Sequence, residues 1–136
     1  MTVDLLVVDA DSTRRRGLRE LARRRGLRVC ESDAAVEGVL LAREAKPAWV
    51  ILDLMQPHGM EGHLATAMIR RAAGPRAKVL VVGARDDAAR KRALAAGADG
   101  AFDQLDAEAL LNSIASPIDA LAGARRTSPS DLMRER

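Results

Sequence analysis

"WVILDLMQP", residues 49–57, is the stretch whose reading decides the fold. Trp49, Val50, Ile51 and Leu52 form an apolar run that ends on a carboxylate, Asp53. Burying an unpaired carboxylate is costly, so Asp53 must stand at an edge, be paired, or be used. A run this short, without polar alternation, reads as a strand covered on both faces.

Working outward, the same kind of run recurs. Val3 to Val8 is apolar and β-branched and also ends on an acid, Asp9. "DADST" then starts a helix, and the Arg-rich stretch that follows stops near Gly26, a residue suited to a helix end. Leu27 to Cys30 is expected as a second strand. Ser32 or Asp33 can cap a helix to about Ala45, with Val36, Val39 and Leu40 inward, closed by Lys46-Pro47. After the quoted strand, "QPHGMEG" is rich in turn formers, and a helix over Glu61–Ala72 carries Leu64, Met68 and Ile69 as its core stripe. Lys78 to Val82 is the fourth strand. Asp86 or Asp87 caps a helix to Ala96, Gly100 to Phe102 is a short fifth strand, and Asp106 opens the last helix.

Strand and helix thus alternate five times, which predicts an α/β fold with helices on both faces of a parallel sheet. In the flavodoxin-like doubly wound form, the five strands take the order 2-1-3-4-5. Strands one and three are then neighbours, and Asp9 and Asp53 face one pocket at their carboxyl ends.

The bulk numbers agree with one domain. The chain has 136 residues, 48% of them hydrophobic, yet Trp49 and Phe102 are its only aromatic residues. The core must therefore be aliphatic. Cys30 is the single cysteine, which excludes an internal disulfide and the usual structural zinc site. "MTVDLLVVDADS" does not read as a signal peptide, and no run approaches a membrane span, so a cytoplasmic protein is expected. The net charge is +3, with the excess in "RRRGLRELARRRGLR", residues 14–28. Such a cluster can bind nucleic acid, but it has no neighbouring aromatic for bases to stack on, and Leu18, Leu21 and Ala22 give it the spacing of a core-facing helix.

"LLVVDADSTRRR", "KPAWVILDLMQP", "KVLVVGARDD" and "GADGAF" occur in an order and spacing that resembles the receiver domain of bacterial response regulators. The resemblance runs from residue 3 to about 121, placing a receiver over 1–122 and a linker or tail over 123–136. It implies that Asp53 is the phosphoacceptor position. It also implies a Mg²⁺ held by an acid pair after strand one, by the phosphoacceptor and by the backbone carbonyl at Met55. Phosphoryl transfer rests on such positioning and charge neutralisation.

Several family positions depart from the pattern. Asp9 matches the first acid, but Ala10 stands where the second belongs; Asp11 follows one residue on and is expected to point elsewhere. Gly83 replaces the Ser or Thr after strand four, Gln104 the Lys after strand five, and Ala101 the aromatic switch residue. Arg85 is a candidate phosphate contact, since guanidinium groups suit phosphate. Asp9, Asp53 and the Met55 carbonyl would hold Mg²⁺ weakly if at all.

The expectation is an atypical receiver: not an enzyme, but a module that binds a sensor kinase, an output domain or another signalling protein. The alternative is a working phosphoacceptor with weak Mg²⁺ dependence, and a third reading is nucleic-acid binding through the basic helix. A metal site at His58, Glu61 and His63 is set against a simple turn. Arg85, Arg90, Lys91 and Arg92 against Asp99, Asp103 and Glu108 would permit a twofold dimer. Ser116-Pro117 and Ser128-Pro129 read as helix starts near the C-terminus.

Overall fold

Leu5–Val8 (β1), Val29–Ser32 (β2), Trp49–Asp53 (β3), Lys78–Val82 (β4) and Gly100–Phe102 (β5) pair in parallel in the order β2-β1-β3-β4-β5. This is the flavodoxin-like order the alternation predicts. The structure, a computed structural model, describes residues 3–103, 106–112 and 114. The expectations at Gln104, at Ser116-Pro117, at Ser128-Pro129 and over 123–136 lie outside the described residues. Between the strands run Ser12–Arg24 (α1), Ala35–Ala45 (α2), Gly62–Ala73 (α3) and Asp87–Ala95 (α4), and Ala107–Asn112 (α5) follows β5.

Successive side chains of a strand point to opposite faces. Leu6, Val8, Val50, Leu52, Val79 and Val81 therefore pack with Val39 and Ile69 in one buried layer. Leu5, Val7, Ile51, Leu80 and Val82 pack with Leu18, Ala22, Leu110 and Leu111 in the other. Both faces are covered, which is why the strands read as unbroken apolar runs.

Helix ends account for the largest shift from expectation. β2 begins at Val29, not Leu27. The Leu27 N–H donates to Ala22 O (3.1 Å) and the Gly26 N–H to Arg23 O (3.0 Å), with Gly26 at φ 82. This is a Schellman closure of α1, so Leu27 belongs to the helix cap and buries its side chain there.

In α2, Val36 and Leu40 are 61% and 55% exposed and do not face inward as expected. The buried positions are Ala35, Gly38, Val39 and Ala42. A Cβ at Gly38 would sit 2.9 Å from Val8 Cγ2, so the helix approaches β1 through its smallest residues and turns its larger ones out. Neither Ser32 nor Asp33 caps it. The N-cap is Ala34, and the Ala35 N–H donates instead to Gln56 Oε1 (2.8 Å). Leu64 of α3 is likewise exposed, Ile69 is buried, and Glu61 is the helix's N-cap rather than its first residue.

Candidate functional site

β1 and β3 are neighbours, with Val8 opposite Leu52, so Asp9 and Asp53 leave the sheet side by side. Both are buried. The backbone turns that follow supply donors: the Asp11 N–H to Asp9 Oδ1 and the Met55 N–H to Asp53 Oδ1, each at 2.9 Å. Gln56 Nε2 donates to the Asp53 carbonyl (2.6 Å) and so ties the end of β3 to the start of α2.

The cation that balances these acids is Arg14, from the first turn of α1. Its Nε donates to Asp9 Oδ2 and its Nη2 to Asp9 Oδ1, both at 2.9 Å. The same Nη2 donates to Asp53 Oδ2 at 2.9 Å. One planar group thus spans both carboxylates, the fork geometry at which arginine excels. Asp9 raises the pKa of Arg14 further above its ordinary value, so the charge is permanent. Burial pushes the Asp53 carboxyl above its ordinary value, opposed by the Met55 N–H; the nearby Asp9 adds to the rise and Arg14 counters it.

In the sequence Arg14 reads as one of the eight arginines of the basic run over residues 14–28. Asp11 places it: its side chain accepts from the Arg14 N–H (2.9 Å) and caps α1. Helical side chains lean toward the N-terminus, so Arg14 reaches back over the strand ends. A cation in a first helical turn opposes the helix dipole unless an acid answers it, and that was the available signal. Asp11 itself is exposed and serves as the cap, while Ala10 offers no donor.

Arg14, Asp53, Met55, Gly83, Arg85 and Asp103 line an open pocket of about 310 Å³ beside the acids. Gly83 has φ 93, a backbone that disfavours any side chain, and a Cβ there would meet Asp53 Oδ1 at 3.4 Å. Ala101 packs against the layer formed with α2 and α3. The neighbouring Phe102 is exposed.

Mg²⁺ needs near-octahedral oxygen ligands anchored by carboxylates. Here every carboxylate oxygen of Asp9 and Asp53 already accepts a hydrogen bond, and a fixed positive charge lies between them. This donor set does not fit a tightly held Mg²⁺.

The other candidates resolve into internal contacts. Five of the eight arginines in residues 14–28 are ion-paired within the domain: Arg14 with Asp9 and Asp53, Arg15 and Arg19 with Glu31, Arg25 with Glu108, and Arg28 with Asp4. Glu61 accepts from the His63 and Leu64 N–H groups, and among the described residues no three metal-ligating side chains gather. On the expected dimer face, Asp99 pairs with Arg70, Glu108 with Arg25 and Arg90 with Asp87. Among the described residues no helix is long and apolar enough to cross a membrane.

A doubly wound parallel sheet with paired acids at the carboxyl ends of adjacent central strands puts the site where such folds bind their ligands. The chain belongs to the response regulator receiver domain family, whose pattern matches residues 5–115, and it is a receiver of two-component signalling. It is similar to Response regulator MprA of Mycobacterium sp. (strain KMS), 35% identical over 132 residues that cover 96% of this chain and 54% of that protein. The chain therefore spans about half the length of the curated relatives it matches.

Solved structures that share the fold include two that hold a cation. One is a response regulator from Burkholderia pseudomallei with a phosphorylated aspartic acid, calcium ion and citrate (TM-score 0.74, 22% identity, covering 91% of this chain and 73% of that one). The other is the receiver domain of sensor histidine kinase PA1611 from Pseudomonas aeruginosa PAO1, with a magnesium ion coordinated in its active-site cleft (TM-score 0.69, 20% identity, 84% and 95%).

Proposed function

We propose that this receiver signals by binding a protein partner, and that Mg²⁺-dependent phosphorylation of Asp53 is not its switch. The observation that carries this reading is the Arg14 guanidinium donating to Asp9 and Asp53 together. Phosphoryl transfer to a carboxylate needs an oxygen lone pair aimed at the phosphorus, which a hydrogen bond from a cation makes less nucleophilic, and cations placed to neutralise the incoming group. Asp53 has both oxygens hydrogen-bonded, and Ala10 and Gly83 bring neither the second acid nor the hydroxyl.

A phosphorylated aspartate with calcium occurs in the Burkholderia protein, and magnesium in the Pseudomonas one. In this chain the matching place is crossed by Arg14, so any divalent ion would be held weakly by Asp9, Asp53 and the Met55 carbonyl. The partner class is that of receivers: a sensor kinase, an output domain or another signalling protein, in the cytoplasm. The exposed strip of β5 and α4, with Phe102 and Leu94, supports such contacts. Nucleic acid is disfavoured, because most arginines of the basic run are answered internally. Residues 123–136 are taken as a linker or C-terminal tail.

Incubation with acetyl phosphate and Mg²⁺, followed by intact-mass measurement, tests the reading. No added phosphate is expected. An adduct that Asp53→Asn abolishes would overturn it and establish a phosphoacceptor with weak Mg²⁺ dependence, with Arg85→Ala then testing whether that side chain holds the phosphoryl group.

A further inference from the structure

We propose that Arg14 is the pocket's resident cation: its side chain replaces the divalent ion and keeps that ion out. This deepens the reading above and rests on it for its meaning in signalling. Three features carry it. The guanidinium contacts are shared between two acids from different strands, with all three distances at 2.9 Å. Both acids are buried, whereas Arg14 is 46% exposed, so the guanidinium lies on the solvent side of the acid pair, beside the open pocket that Asp53 also lines. The capping bond from the Arg14 N–H to Asp11 fixes the backbone from which the side chain reaches.

Charge arithmetic points the same way. Arg14 offsets one of the two buried charges of Asp9 and Asp53, with the exposed Asp11 carboxylate 3.8 Å from its Nη1, so a reluctantly dehydrated divalent ion meets a weaker field than the bare acid pair would set. A metal entering here must first expel Arg14, and its attraction to the acids is offset by repulsion from the arginine. Removing the arginine charge leaves two buried carboxylates side by side with the Met55 carbonyl two residues beyond Asp53. That constellation is oxygen-rich, anionic and unanswered, and it calls for a cation. A fixed guanidinium also differs from a metal in consequence: it cannot be chelated or diluted away, so the acid pair keeps its counter-charge whatever the divalent ion concentration.

The test is a Mg²⁺ titration of the full chain without phosphodonor, followed by backbone amide NMR shifts at Asp9, Asp53 and Met55. Wild type is expected to show no saturable shift up to about 10 mM Mg²⁺. Arg14→Gln is expected to bind saturably and at least about tenfold more tightly, because a repelling charge beside the site is gone. Adding Asp9→Asn to that variant should remove the gain. Arg14→Met, of similar length and uncharged, is run in parallel so that a fold disturbed by glutamine does not decide the matter. If both single variants are unfolded without metal, folding induced by Mg²⁺ and read by far-UV circular dichroism counts as the gain. Wild type binding as tightly as the variants, or no gain in either variant by either readout, overturns the proposal. The metal titration is separate from phosphorylation, so a wild type that takes phosphate yet still excludes Mg²⁺ would sink the earlier reading and leave this one standing.

Discussion

Replacing Arg14 by methionine should destabilise the domain by about 2 kcal/mol at neutral pH. Three charge-assisted hydrogen bonds are lost, each typically worth about 1.5–3 kcal/mol when well shielded. Arg14 is nearly half exposed, so solvent screens it and the sum must be cut to a fraction of that range. Against this, Asp9 and Asp53 stay buried and lose their counter-charge, and breaking a buried pair by removing one partner costs about 3–5 kcal/mol where no water can enter. The open pocket beside Asp53 lets water in, so the lower estimate holds. For a domain of this size, a loss of 2 kcal/mol lowers the melting temperature by roughly 6–10 °C. The assay is urea unfolding of wild type, Arg14→Met, Asp53→Asn and the double variant. The double-mutant cycle should give a coupling of about 1 kcal/mol between Arg14 and Asp53, since one hydrogen bond and one charge contact join them. A cycle that closes to zero would refute the bridge.

Further expectations concern other contacts. Asp53 has a raised pKa in the fold, so between its unfolded and folded values the native state binds the extra proton, and the stability due to this group rises as pH falls through that window. Wild type should therefore gain on Asp53→Asn as pH is lowered from neutral into the carboxylate range, and urea midpoints at a series of pH values check the sign. Gly62→Ala would place a Cβ 2.3 Å from Leu54 O, a clash with backbone, and should cost more than about 2 kcal/mol in the same unfolding assay. Gly83→Thr, which restores a hydroxyl, should lose about 1–2 kcal/mol to its φ of 93 and still take no phosphate from acetyl phosphate. Burial pushes the Cys30 thiol up, so it should react with a disulfide reagent more slowly than an unfolded-chain control at neutral pH.

Much of this molecule is legible in its sequence for identifiable reasons. β3, β4 and β5 match the expected bounds because turn formers flank continuous apolar runs. The meeting of Asp9 and Asp53 follows from strand order alone. What the sequence obscures is set by partners distant in the chain. Val36 and Leu40 look like core residues by spacing, but the close approach at Gly38 to Val8 makes small residues the buried face. Leu27 looks like a strand start, but the Schellman closure claims it. Arg14 looks like one of several surface arginines; its place in a first helical turn calls for an acid, and the juxtaposition of that turn with two strand ends, 39 residues away in one case, identifies which. Gln56 is similar: a loop glutamine whose side chain caps a helix 21 residues earlier.

The guanidinium signals of Arg14 offer the most direct measurement. In a ¹⁵N-labelled sample the Arg14 Nε–H should give a sharp, downfield-shifted resonance that exchanges slowly with water, since Nε donates to the buried Asp9 at 2.9 Å. Asp9→Asn should shift it strongly, Asp53→Asn should perturb the attached Nη2 protons, and Mg²⁺ should leave both in place. An Arg14 Nε–H that exchanges as fast as those of free surface arginines, or that moves in step with added Mg²⁺, would contradict the account.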